Sequence, residues 1–107
     1  MGERPLMIIY NVTMQIDPSV HDEWLQWMKN SHIPEVMNTG CFTEYRMLKV
    51  LGDEDKEEIT YSLQYTCKSL NEFYDYEKNH APKIRAEYNA RYKDKVVSFR
   101  TLLEIVN

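Results

Sequence analysis

Two stretches of strict alternation constrain the fold more than anything else in the chain. In Met7–Ile16, Ile8, Tyr10, Val12, Met14 and Ile16 share one side, and Ile9, Asn11, Thr13 and Gln15 share the other. In Ile59–Cys67, Ile59, Tyr61, Leu63, Tyr65 and Cys67 stand against Thr60, Ser62, Gln64 and Thr66. Successive side chains of a strand point to opposite faces, so each stretch reads as a strand with one buried side.

Each stretch runs into a helical pattern. Asp17-Pro18-Ser19 gives turn and helix-start chemistry, and Asp22 and Glu23 suit the positive end of a helix dipole. Val20, Trp24, Trp27 and Met28 follow at helical spacing. The pattern runs to about Asn38, disturbed at Pro34, and Gly40 ends it as a left-handed cap. Ser69 caps the second helix, whose expected apolar side is Leu70, Phe73, Tyr74, Ile84 and Tyr88. Cys41–Leu51 has the mixed pattern of an edge strand, Gly52–Glu57 reads as a hairpin turn, and Lys93-Asp94-Lys95 leads into a last strand over Val96–Val106. The order is βαββαβ, an α+β ferredoxin-like arrangement: a four-stranded antiparallel sheet with two helices on one face. That arrangement puts the first and third strands at the centre, and these are the two that alternate most cleanly.

The 107 residues suit one domain, 1–107, with 1–6 a polar tail. Eight Tyr and two Trp point to a pocket lining or an interface. A net charge of −4 argues against nucleic acid or an anionic membrane as partner. No apolar run approaches the roughly 20 residues of a membrane helix, and Met1–Met7 lacks a signal-peptide core, so a cytoplasmic location is expected.

Two helices cover one face of such a sheet. The other face receives Asn11, Thr13, Gln15, Thr60, Ser62, Gln64 and Thr66, with Glu44 and Arg46 by parity and Ser98 and Arg100 assigned to the same side. It is polar at its centre yet nearly uncharged. An RNA-recognition platform needs aromatics there, but Tyr10, Tyr61 and Tyr65 fall on the opposite face. The expectation is a homodimer packed through this open face, enclosing a polar cavity in which Asn11, Thr13, Gln15, Arg46, Ser62, Gln64 and Arg100 bind a small molecule.

His32-Ile33-Pro34 and His80-Ala81-Pro82 echo one another inside the two helices. Aligning the histidines also superposes Phe73 on Leu25, Tyr76 on Met28 and Ile84 on Val36. Each proline removes a donor and crowds a carbonyl one turn earlier. Ile33 and Ala81, as residues before proline, are expected to leave helical geometry, with each helix breaking and restarting. At such breaks His32 and His80 either satisfy freed backbone groups or face a ligand as acid–base imidazoles. His21, among acidic neighbours, is expected to be solvated.

The stripe Trp24, Trp27 and Met28 reads as core. Cys41 and Cys67 share strand parity and are expected to be two reduced core thiols, not a redox pair. Their spacing is not that of a metal site, and neither a metal nor a cofactor is expected. Asp53, Glu54, Asp55, Glu57 and Glu58 lack the spacing of a calcium loop. There is no phosphate-binding glycine loop, Ser-His-Asp order or HExxH pair.

The strand MIIYNVT, the segment DPSVHDEWLQWMKNSHIPEVMNTGCF, the strand YSLQY, the HAP of the second helix and the closing FRTLLE resemble the family catalogued as domain of unknown function 4286. The likeness spans Met7 to Val106, and the run W..WM...HIP.V..TG.F is its most specific part. The family occurs in Bacteroidetes-type bacteria and has no established activity. The resemblance implies a dimeric α/β barrel, two ferredoxin-like sheets packed face to face. That wider superfamily includes cofactor-free monooxygenases, muconolactone isomerase-like enzymes, stress-response proteins and haem-degrading enzymes. In the last group an Asn of the first strand and a Trp and a His of the second helix form the site. Asn11 and His80 match two of these roles, but the second helix has no Trp, only Phe73, Tyr74 and Tyr76. Three functions follow as expectations: a small-molecule-binding homodimer; a cofactor-independent oxygenase or isomerase using Asn11, His80 or His32, and Arg100 or Arg46; and a non-catalytic structural or partner-binding dimer.

Overall fold

The structure, a computed structural model, describes residues 7–52 and 57–107. The 1–6 tail and most of the acidic turn, 53–56, lie outside the described residues. Four strands, β1 (Met7–Ile16), β2 (Glu44–Lys49), β3 (Ile59–Cys67) and β4 (Val96–Ile105), form one sheet in the order β2-β3-β1-β4. Every neighbouring pair is antiparallel. The two cleanly alternating strands are central, and the mixed stretch 41–51 supplies a shorter strand at an edge, as expected.

Helices lie on one face. The first arm comprises α1 (His21–Trp27), a π-helical turn over Met28–His32 and α2 (Ile33–Met37); the second comprises α3 (Leu70–Asn79) and α4 (Ala81–Tyr92). Asp17 starts the first arm by accepting a hydrogen bond from the Ser19 amide at 2.8 Å. That bond holds its carboxyl below the usual range. Gly40, at φ +78°, turns the chain out of the arm in the left-handed conformation that favours glycine. Ser69 caps α3 by accepting from the Glu72 amide.

The helical arms thus number two, but each is divided, and in different ways. The expected break at Ile33-Pro34 does not occur. Ile33 stays helical (φ −62°, ψ −46°), with its amide reaching five residues back to the Met28 carbonyl. One extra residue in the preceding turn gives room for the proline ring, a known use of π bulges. In the second arm the chain leaves helical geometry at His80 itself (φ −124°, ψ −43°), one residue before Ala81. Pro82 then falls in the first turn of α4, where its missing amide costs no helical bond.

The core lies between the arms and the sheet. Ile8, Tyr10, Met14, Ile16, Tyr61, Leu63, Tyr65 and Cys67 from β1 and β3 meet Trp24, Met28, Ile33, Val36, Phe73, Tyr76, Ala81, Ile84, Tyr88 and Tyr92 from the helices. Trp24 and Met28 are fully buried, as the stripe predicted, while Trp27 is only partly buried against the core. The second arm corrects the expected apolar side: Tyr74 and Leu70 are exposed, and Tyr76, Ala81 and Tyr92 are buried instead. Leu70 and Tyr74 both lie within α3, whose sheet-facing side is Phe73 and Tyr76, so apolar character alone put them on the wrong side. Cys41 and Cys67 are buried and free, but they are not cross-strand partners: Cys67 pairs with Ile8, and β2 begins only at Glu44.

Candidate functional site

Register assigns each polar candidate to a face. Asn11, Thr13 and Gln15 pair with Gln64, Ser62 and Thr60, and Arg46 pairs with Gln64, so all lie on the face without helices. Arg100 pairs with Val12 and Ser98 with Met14, which places both under the helices. This corrects their assignment to the open face. The last strand carries apolar residues on both sides, so alternation alone could not fix its parity.

The open face has a hydrogen-bonded centre. Asn11 is 9% exposed; its carbonyl accepts from Ser62 Oγ at 2.6 Å and its amide donates to Thr13 Oγ1 at 3.1 Å. Gln64 Nε2 donates to Ser62 Oγ at 3.4 Å. Beside this network β4 contributes Val97, Phe99, Leu103 and Ile105, all exposed, Phe99 by 57%. The sequence reading missed this apolar flank, although the residues stand at alternate positions of the last strand. A recess of about 120 Å³ at one end of the face is lined by Ile9, Glu44, Tyr45, Arg46, Gln64, Thr66 and Ile105.

Under the helices lies a smaller and chemically richer cavity. It encloses about 30 Å³, room for a water or two, and is lined by Tyr10, His32, Val36, Tyr65, Tyr76, Ile84, Arg85, Tyr88, Ser98 and Arg100 among others. The Tyr10 hydroxyl accepts from Arg85 Nη2 at 2.8 Å and from Arg100 Nε at 3.0 Å. Arg85 is also fork-paired with Glu77, with Nη1 donating to Oε2 at 3.0 Å. Burial opposes its charge, but the bonds to Glu77 and Tyr10 outweigh burial and hold it protonated. Arg100 has no carboxylate within ion-pair distance among the described residues. Both guanidinium groups also line an outer recess of about 170 Å³ with Phe73, Glu77, Thr101 and Leu102.

The rest of the lining is aromatic. The Tyr88 hydroxyl accepts from Trp24 Nε1 at 3.0 Å, and burial pushes its phenol up to about 12. Burial likewise raises Tyr76 and Tyr65. The Tyr65 hydroxyl is buried with no hydrogen-bond partner among the described residues. An unpaired buried hydroxyl is costly, so one facing a cavity marks a place for a polar atom.

The histidines separate. His32 packs edge-on against Tyr88, with ring centroids 5.2 Å apart, and lines the cavity. Burial, with the Arg100 charge second, lowers its pKa to about 4, so it is neutral at physiological pH. His80 stands elsewhere, its Nε2 3.9 Å from Asp75 Oδ2. Neither ring hydrogen-bonds a freed backbone group among the described residues. His21 is not solvated: it stacks on Tyr61 and its Nε2 is hydrogen-bonded to the Tyr61 hydroxyl at 2.9 Å. Asn11 and His32 lie on opposite sides of the sheet, so one chain does not bring them into one pocket.

The family described as domain of unknown function DUF4286 has a sequence model matching residues 7–106, which takes in all four strands and both helical arms. The chain belongs to this family. A comparison with curated proteins gives no match. Among solved structures, this member of DUF4286 is similar to a conserved protein of unknown function, possible oxidoreductase, from Bacteroides thetaiotaomicron VPI-5482 (TM-score 0.68, 12% identity, 95% of this chain and 100% of that one). It is similar to the hydroxynitrile lyase from Passiflora edulis (TM-score 0.68, 13% identity, 97% and 99%). It is also similar to a dimeric ferredoxin-like protein from an uncultured marine organism (TM-score 0.57, 12% identity, 95% and 97%). At such identities the likeness is one of fold: an α+β protein with a ferredoxin-like sheet. No helix among the described residues is long and apolar enough to cross a membrane.

Proposed function

We propose that this DUF4286 protein is a small cytoplasmic homodimer that binds a small molecule in the cavity between its helices and its sheet. The observation that carries the binding site is that Tyr65, whose buried hydroxyl has no partner among the described residues, lines a cavity together with a neutral imidazole and two guanidinium groups. Ligand sites are concave and mostly apolar, with a few convergent polar groups, and this lining has that character. The inner space is too small for more than the tip of a ligand, which reaches in from the outer recess past Arg85 and Arg100. The favoured ligand is compact, with an apolar body and an acceptor or anionic group for Arg100.

The dimer rests on the open face. Its central polar groups already satisfy one another, so covering them costs little, and the flank of Val97, Phe99, Leu103 and Ile105 gains from leaving water. The dimeric ferredoxin-like neighbour supports this reading. Asn11, Thr13, Gln15, Ser62 and Gln64 then lie at the interface centre. The recess at Arg46 and Gln64 becomes enclosed and offers a second polar lining.

A second reading is cofactor-independent proton transfer, favoured by one observation: His32 is held neutral beside the Arg100 charge. His32 would take a proton from a bound substrate and Arg100 would stabilise the anion left behind. Thermal unfolding against a metabolite library tests binding, because a ligand of the native state raises the melting temperature. A hit whose shift disappears in Arg100→Met supports the site; a shift unchanged in Arg100→Met and Tyr65→Phe refutes it. Sedimentation tests the assembly: a dimer at micromolar concentration that becomes a monomer in Phe99→Lys is expected, and a monomeric wild type overturns it.

A further inference from the structure

Cys41, Asp75 and His80 are far apart in sequence, and the proposed function uses none of them. We propose that they form a three-ligand site for a thiophilic divalent transition metal, with zinc the metal best matched to this donor set. Sγ of Cys41, a carboxylate oxygen of Asp75 and a ring nitrogen of His80 all lie within 4.8 Å of one another. Cys41 Sγ is 3.5 Å from Asp75 Oδ2, and His80 Nε2 is 3.9 Å from the same oxygen. Ligands about 2.0–2.3 Å from a tetrahedral zinc stand roughly 3.3–3.7 Å apart. Two of the separations, 3.5 and 3.9 Å, are near that edge length and the third is no more than 4.8 Å, so a modest side-chain adjustment brings the three atoms onto one face of a coordination tetrahedron.

Each ligand is brought in by a special feature of the backbone. Gly40, at φ +78°, turns the chain so that Cys41 enters the buried side of the cluster. Asp75 lies in α3. The helix gives way at His80 (φ −124°), directing the imidazole to Asp75 and not along a regular helical face. Asn79 Nδ2 donates to the other carboxylate oxygen, Asp75 Oδ1, at 2.6 Å, the kind of outer contact that orients a ligating carboxylate.

Thiolate, imidazole and carboxylate suit zinc better than calcium or magnesium, which prefer oxygen alone. Without metal the Cys41 thiol donates to the Asp75 carboxylate. On binding, that thiol proton leaves to solvent. The thiolate and carboxylate charges then neutralise a divalent cation. The cluster is closed on the Cys41 side. On the His80 side it borders an open groove of about 270 Å³ lined by residues including Glu35, Asn38, Thr39 and Lys83. Three protein ligands with solvent access are the pattern of a metal that keeps a fourth position for water or a further ligand.

Titration of the chelator-treated full chain with cobalt(II) tests the site. One equivalent per chain is expected, with a thiolate-to-cobalt charge-transfer band and tetrahedral ligand-field absorption, both erased by zinc. Cys41→Ser should abolish the charge-transfer band. His80→Ala, a change at a partly exposed residue that leaves the fold intact by circular dichroism, should abolish tight binding. Asn79→Ala, at a positioning residue, should weaken affinity about 10–100-fold. No charge-transfer band in the wild type, or undiminished affinity in folded His80→Ala, overturns the proposal. If Cys41→Ser fails to fold, the His80 result decides.

Discussion

His32-Ile33-Pro34 and His80-Ala81-Pro82 present the same problem to two helices, and the protein solves it in two ways. Around the first, Met28, Ile33 and Val36 are all buried, so the segments before and after the proline must press on the same core. The chain stays helical and takes up the proline in a π turn that ends at His32, which lines the cavity. Around the second, Tyr76, Ala81 and Ile84 stand at the matching positions and are buried as well, yet the preceding turn holds no extra residue to make room for the proline. The helix breaks at His80, and the ring turns toward Asp75 and Cys41. The prolines determine where each helix yields; the backbone's response, a π turn in one arm and a break at His80 in the other, determines what each imidazole can do.

Positions that match between the two arms can still differ sharply in sensitivity. The offset that superposes the histidines sets Glu72 against Trp24. Trp24 is fully buried and its indole donates to Tyr88, whereas Glu72 accepts from the Lys68 amide at 3.2 Å on the surface. Trp24→Ala should cost about 3–5 kcal/mol, from a large cavity and a lost hydrogen bond. Glu72→Ala should cost about 0.5–1 kcal/mol, as loss of a helix-start contact does. Denaturant midpoints at constant slope measure both, and equal losses would show that the arms share the load evenly.

The next contrast is acid sensitivity. His32 titrates near 4 in the fold against an ordinary 6.5, because burial disfavours its charged form. The unfolded chain therefore binds the proton first, and stability falls as pH drops from 6.5 toward 4. The full difference is about 3 kcal/mol below that window and vanishes above it. Unfolding free energies measured from pH 7 to pH 4 should show this slope in the wild type. His32→Leu should flatten it. A slope that survives His32→Leu would assign the acid sensitivity to another group.

Much of this was legible in the sequence where one physical rule acted alone. β1 and β3 each bury one face, so strict alternation located both strands to the residue, and their central positions followed. β4 was misread because apolar residues occupy both sides of it: Val97, Phe99 and Leu103 face outward while Val96 and Leu102 face the helices. Alternation says nothing there, and Arg100 went to the wrong face. Its actual place depends on the pairing with Val12 and the bond to Tyr10, both contacts across the fold. The cluster of Cys41, Asp75 and His80 was hidden for a related reason. Metal spacing rules read ligands close in sequence, and these meet only because one helix breaks and another ends at Gly40.

The smallest effect tests the cavity from inside. Tyr65 and Tyr10 are cross-strand neighbours on the covered face, and their hydroxyls are treated oppositely. Tyr10 receives two guanidinium donors, while Tyr65 receives nothing. Removing a satisfied hydroxyl strands its partners, so Tyr10→Phe should cost about 1–2 kcal/mol. Removing an unsatisfied one relieves a desolvation penalty, so Tyr65→Phe should leave stability unchanged or raise it by up to about 1 kcal/mol. Its cost should appear instead in ligand affinity, as a smaller melting shift at the same ligand concentration. If Tyr65→Phe proves as destabilising as Tyr10→Phe, a water bound within the resting fold already satisfies the phenol. The hydroxyl would then be structural, and the polar tip of the ligand would have to be bound by His32 and Arg100 alone.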